Sequence, residues 1–121
     1  MVKHIVDTRQ FKDRQFLEGL FERADQMREL RDVSGVTDKH RNKVVGGFFY
    51  QPSTRTRLSF QAAAQRIGTS TVFTENARDF SSAAKGETLE HSLRATEEFF
   101  DAIVLRHEKE GAAIRAAKAV S

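Results

Sequence analysis

Residues 44–60 read VVGGFFYQPSTRTRLSF, and the parsing of this stretch decides the fold. Its first seven residues, VVGGFFY, form an apolar run with no polar alternation. Such a run suits a strand covered on both faces, as in a parallel sheet. Gly46 and Gly47 either weaken it or mark a close backbone approach. From about Thr54 to Ile67 the spacing is helical, with Leu58, Ala62 and Ile67 as inward-facing candidates and Gly68 as a C-terminal stop. Between strand and helix lies STRTR, which packs two arginines and three hydroxyls into five residues. An ordinary helix starts on a single Ser, Thr, Asp or Asn. The turn is therefore either an elaborate cap or a site.

Working outward, apolar residues upstream fall at Leu17, Leu20, Phe21, Ala24, Met27 and Leu30. This spacing predicts a helix from about Asp13 to Arg31 with a buried stripe. The polar stretch from Asp32 to Asn42 is a connection. Downstream, TSTVF (Thr69 to Phe73) reads as a short strand and TENARDFSSAAKGE as a long polar loop of small residues. A third helix follows, with Glu87 or Thr88 near its start and Leu89, Leu93, Thr96 and Phe100 on one face. DAIVLR is a compact strand, and a last helix spans about Lys109 to Ala119. Helices alternating with strands in this way predict an α/β domain with a mostly parallel, three-layer sheet. The chain reads as one incomplete domain, 1–121, stopping where a further strand is due.

Composition narrows the function classes. With 121 residues the chain holds one core. Its net charge of +3 comes from Lys and Arg interleaved with Glu and Asp. A clustered basic face, the footprint of a nucleic-acid binder, is not evident. There is no cysteine, so neither disulfides nor thiolate metal sites are available. His4, His40, His91 and His107 show no metal-ligand spacing. No signal core and no membrane-length apolar run is present, so a cytoplasmic protein without membrane or nucleic-acid partners is the expectation.

The strand–turn–helix reading gives STRTR a chemistry. A helix that follows a strand places its N-terminus at the carboxyl edge of the sheet, where α/β proteins bind ligands. The first helical N–H groups have no intrahelical acceptor, and the helix dipole adds partial positive charge. An anion is the natural ligand. The N–H groups of Thr54, Arg55 and Thr56 would face it, with hydroxyls from Ser53, Thr54 and Thr56 and an arginine fork suited to phosphate. No Walker or GxGxxG pattern accompanies the turn, so a small, non-nucleotide phosphate compound is expected. The competing reading keeps Ser53 as a plain cap with Arg55 and Arg57 merely exposed.

Three strings in order, FFYQPSTRTRLSF, SSAAKGETL and DAIVLRHEKEGAA, resemble the amino-terminal, carbamoyl phosphate-binding domain of aspartate carbamoyltransferases. The resemblance runs from about Asp7 to the end. Ornithine enzymes share STRTR, but KGET and RH followed by EGA are similar to the aspartate type. The resemblance implies transfer of a carbamoyl group from carbamoyl phosphate to L-aspartate in pyrimidine synthesis, with no metal or organic cofactor. It implies that Ser53, Thr54, Arg55 and Thr56 hold the phosphate, that Arg55 neutralises charge on the leaving group and that Thr56 polarises the carbonyl. Arg106 then contacts the phosphate and carbonyl side. Ser81 (Ser82 competes for the place) and Lys85 are donated to a neighbouring subunit's site, which implies a homotrimer. His107 carries no assigned chemistry. Catalysis of this kind rests on positioning and on electrostatic stabilisation of developing charge.

Two departures accompany the resemblance. The family's aspartate-binding domain is not in these residues, nor are the histidine and glutamine that complete its carbamoyl site, so no turnover is expected from the chain alone. Gln51-Pro52 stands where most aspartate enzymes have Glu-Ala or Glu-Pro, which removes one ion pair of the closed form. Alternatives are a non-catalytic phosphate-binding or assembly module and an ornithine-type enzyme. A regulatory subunit or a partner dihydroorotase is left open.

Overall fold

The computed structural model describes residues 3–75 and 88–121. Three strands, β1 (Val44–Phe49), β2 (Ser70–Thr74) and β3 (Ala102–Arg106), form one parallel sheet in the order β2-β1-β3. Among the described residues four α-helices accompany it: α1 (Arg14–Val33), α2 (Thr54–Arg66), α3 (Leu89–Thr96) and α4 (Ala112–Ala119). Short 3-10 turns occupy Thr8–Lys12 and Glu97–Phe99. The expected α/β architecture is thus observed.

β1 is central, and its two glycines are a packing device. A Cβ on Gly46 would meet the Phe100 ring at 2.8 Å, and one on Gly47 would meet the Phe73 ring at 2.6 Å. Each glycine lets an aromatic ring lie against the strand backbone. Alternation places Phe48 and Tyr50 on one face of the sheet and Gly47 and Phe49 on the other. The first face packs under α3 and α4 through Tyr50, Leu89, Leu93, Ala112 and Ala116, with Ile103 and Leu105 beside them. On the second face Phe49 stacks on Phe73, centroids 6.0 Å apart, and α2 lies over β2.

Several helix expectations need correction. In α2 the inward stripe is Arg57, Gln61 and Ala64, whereas Leu58 is 51% exposed and Ala62 is also exposed. The Phe49 and Phe73 rings already fill the layer beneath α2. Its contact face is accordingly small and polar, with Gln61 and Gln65 each donating to Thr71 Oγ1. α1 buries none of the expected stripe completely; Phe21 is 60% exposed and Met27 is 39%. Its neighbour is the Thr8–Lys12 turn rather than the sheet, and its C-terminal end is tied to α2 where Arg66 Nη1 donates to the Gly35 carbonyl at 2.8 Å. α4 starts at Ala112, later than expected, because Gly111 before it takes a left-handed φ of 80° that glycine alone adopts readily.

Helix starts elsewhere follow capping chemistry. Asp13 Oδ1 accepts from the N–H groups of Gln15 and Phe16, and Thr88 Oγ1 from that of His91. Asp7 and Gln10 form a reciprocal capping box on the first 3-10 turn. Gly68, at φ +91°, stops α2 as expected. Among the described residues no helix is long and apolar enough to cross a membrane.

Candidate functional site

The strand order reverses at β1. The chain leaves β1 for β2 on one side, then returns through α3 to β3 on the other. The loops after β1 and β3 therefore flank a topological switch point at the carboxyl edge of the sheet, the place where open α/β sheets bind ligands. STRTR follows β1, and Arg106 ends β3. Tertiary structure brings Arg106 to the end of β1, from which the turn departs: Phe49 pairs with Arg106 in register, and Tyr50 N–H donates to the Arg106 carbonyl at 2.9 Å. As register partners in a parallel pair, Phe49 and Arg106 share the sheet face that carries α2.

The first turn of α2 is built for an acceptor that the described residues do not supply. Ser53 occupies the N-cap position, yet its side chain makes no cap hydrogen bond. The first helical backbone bond runs from Arg57 N–H to the Ser53 carbonyl, at 3.0 Å. The N–H groups of Thr54, Arg55 and Thr56 precede it and have no intrahelical partner. No acidic side chain sits in this turn, whereas two cations do, against the preference of the dipole. A cap alone does not explain that composition.

The two arginines divide. Arg57 Nε donates to Glu75 Oε1 at 2.7 Å and its Nη1 to Gln61 Oε1 at 3.3 Å. Arg55 is exposed and forms no ion pair among the described residues. Arg106 is half-buried, and its Nε is fully shielded from solvent with no hydrogen-bond partner among the described residues. A buried, unsatisfied guanidinium donor costs about 1–3 kcal/mol, and an oxyanion would satisfy it.

Beside the turn an open cleft of about 430 Å³ is lined by Gln51, Leu105, Arg106, His107, Lys109 and Gly111, among others. Arg106 belongs to this cleft, whereas Ser53, Thr54, Arg55 and Thr56 do not line it. His107 packs its ring against Tyr50, centroids 4.9 Å apart, and its Nδ1 accepts from Lys109 N–H at 3.1 Å. That bond shapes the turn leading into α4. Ser81, Ser82 and Lys85 lie outside the described residues. The Arg57–Glu75 pair had no sequence signal, because its members stand 18 positions apart on different elements.

A family model described as the carbamoyl-P binding domain of aspartate/ornithine carbamoyltransferase matches residues 3–121. The chain is 49% identical over 113 residues to aspartate carbamoyltransferase 1, chloroplastic, of Pisum sativum, covering 93% of this chain and 29% of the relative. It is 44% identical over 102 residues to the aspartate carbamoyltransferase catalytic subunit of Thermoplasma acidophilum, covering 84% and 33%. Among solved structures, the catalytic subunit of M. jannaschii aspartate transcarbamoylase superposes with a TM-score of 0.89 at 34% identity, covering 99% of this chain and 40% of that one. Aspartate transcarbamoylase from Trypanosoma cruzi, in complex with carbamoyl phosphate and aspartate, gives 0.87 at 30% identity, covering 98% and 38%. The chain spans about a third of the length of these curated relatives. It belongs to the aspartate/ornithine carbamoyltransferase family, within that family's carbamoyl-P binding domain.

Proposed function

We propose that this chain is the carbamoyl phosphate-binding part of an aspartate carbamoyltransferase, which moves the carbamoyl group to the amino group of L-aspartate and releases phosphate. The observation that carries the reading is the uncapped first turn of α2 at the switch point, where β3 ends on Arg106, whose buried Nε has no hydrogen-bond partner among the described residues. The N–H groups of Thr54, Arg55 and Thr56 and the hydroxyls of Ser53, Thr54 and Thr56 hold the phosphate. Arg55 supplies the charge that an exposed, unpaired guanidinium can lend.

In the reaction the amine nitrogen attacks the carbonyl carbon, a C–N bond forms and the amine loses a proton. The C–O bond to phosphate then breaks, and the phosphate leaves with the electron pair. Negative charge grows first on the carbonyl oxygen and then on the phosphate. In this reading Arg106 and Thr56 answer the former, the α2 N-terminus and Arg55 the latter. Groups fixed in advance at such positions do most of the work of catalysis of this type. Aspartate comes through residues beyond those in this chain. Ser81 and Lys85 serve a neighbouring subunit, so the working form is a trimer. Relatives named chloroplastic match alongside others that are not so named.

Calorimetric titration of carbamoyl phosphate into the chain tests the reading, with Arg55→Ala as the comparison. Saturable binding that Arg55→Ala abolishes is the expected result. Equal binding by both proteins would remove the turn from the phosphate site.

A further inference from the structure

We infer that Arg57 and Glu75 form a clasp that positions the anion-binding turn, making Arg57 a positioning residue rather than a second phosphate ligand. The inference rests on the carbamoyl phosphate reading of the turn and adds a role for its second arginine.

Arg57 is where the turn becomes helix, since its N–H makes the first intrahelical bond, to the Ser53 carbonyl. Holding its side chain holds the frame from which the three preceding N–H groups project. Glu75 directly follows β2, whose last residue, Thr74, is paired in register with Phe48 of β1. The clasp therefore closes a ring: β1 leads through the turn into α2, Arg57 ties α2 to the end of β2, and β2 returns to β1 through the sheet. Within that ring the turn cannot tilt without breaking a bond.

The environment suits such a role. Arg57 is 27% exposed and Glu75 is 41%. By contrast, the Arg14–Glu18 and Arg31–Asp32 pairs of α1 are at least 57% exposed at every side chain and join near neighbours in sequence. Two donor positions of the guanidinium are committed, Nε to Glu75 and Nη1 to Gln61. This planar two-point hold resists rotation, which a lysine at the same place would not. The carboxylate also offsets one of two cations at the positive end of α2, a placement the helix dipole opposes. Arg55 is left as the charge with no ion pair among the described residues.

The test measures carbamoyl phosphate binding by calorimetry for Arg57→Gln, Glu75→Gln, both together, and the exchanged pair Arg57→Glu with Glu75→Arg. Arg115→Gln is the control. It breaks another ion pair joining distant segments of the chain, the 2.6 Å contact between Arg115 of α4 and Glu90 of α3. Misplacing a binding group by about 1 Å can cost up to about a hundredfold. Each single clasp variant is expected to weaken binding about tenfold, the double variant no more than either single, and the exchanged pair to recover most of the loss. Arg115→Gln should lower Tm and leave Kd alone. Should Arg57→Gln fail to fold, Arg57→Lys keeps the charge without the fork and is expected to lose a smaller but measurable factor.

The clasp is overturned if Arg57 and Glu75 variants bind like wild type while Arg55→Ala does not, or if Arg115→Gln weakens binding as much as they do. If Arg55→Ala binds like wild type, or wild type binds neither carbamoyl phosphate nor inorganic phosphate, the reading of the turn fails and the clasp falls with it.

Discussion

Ser53→Ala separates the two meanings of STRTR more cleanly than any change to an arginine. If Ser53 is a cap, its hydroxyl stabilises the empty protein; if it is a ligand, the hydroxyl matters only when an anion is bound. The hydroxyl makes no hydrogen bond to the first-turn amides, whereas Thr88 Oγ1 accepts from His91 N–H at 3.2 Å at the start of α3. Thr88→Ala should then cost about 1 kcal/mol of stability, the usual worth of a cap. For a domain of this length that is a fall of about 4 °C in Tm. Ser53→Ala should stay within about 0.5 kcal/mol of wild type, as for a surface change that removes no bond. The bound state behaves differently. A hydrogen bond to a charged group contributes about 1.5–3 kcal/mol, so Ser53→Ala should raise the Kd for carbamoyl phosphate about 10- to 150-fold. Thermal unfolding of both variants without ligand, followed by calorimetric titration, gives all four quantities. If Ser53→Ala loses as much Tm as Thr88→Ala and keeps wild-type affinity, the hydroxyl is a cap and the site argument for the turn is wrong.

Arg106→Met should leave the urea midpoint unchanged or raise it, because it removes a buried donor that none of the described residues satisfies. The same variant should weaken carbamoyl phosphate binding about 10- to 100-fold through the loss of a charge-assisted bond; a clear drop in the midpoint would refute the first half. Asp7 provides a pH prediction. Its carboxyl is held down at about 2, below the ordinary 3.8, first by the side-chain hydrogen bonds from Arg9 and then by the Arg9 backbone N–H. A lowered folded-state pKa means that its contribution is complete above 3.8 and is lost as pH falls through about 2. The Asp7 carboxyl carbon, followed by NMR, should titrate near 2, and Arg9→Ala should bring the midpoint back towards 3.8.

Much of this protein was legible because the features concerned are local. The apolar run of residues 44–50, the glycine at position 68 and the capping Thr88 each act through neighbours a few residues away. They were enough to order the strands and helices as an α/β domain. The density of donors in STRTR was legible for the same reason, since a helix start is defined by its own first turn. Facing was another matter. The hydrophobic pattern named Leu58 and Ala62 as the inward side of α2, and the stripe running from Leu17 to Leu30 as buried. Leu58 and Ala62 instead face outward, and the α1 stripe is at most half-buried, because burial depends on what lies opposite. Phe73 over Gly47 had already filled the layer that Leu58 would have entered.

The site divides along the same line. From sequence alone the turn after β1 was an anion cradle or a cap, and Arg106 was a strand-end arginine known only by resemblance. Parallel pairing of β1 with β3 brings Arg106 to the edge from which the turn departs, and burial leaves its Nε without a partner among the described residues. The division of labour between Arg55 and Arg57 was decided by Glu75, 18 residues further on. Sequence determined which elements form, where they start and stop, and what chemistry the turn can offer, because backbone dihedrals and first-turn donors answer to their immediate neighbours. Tertiary structure alone decided which groups meet, because contact between remote residues depends on strand order and register, and no local pattern encodes either.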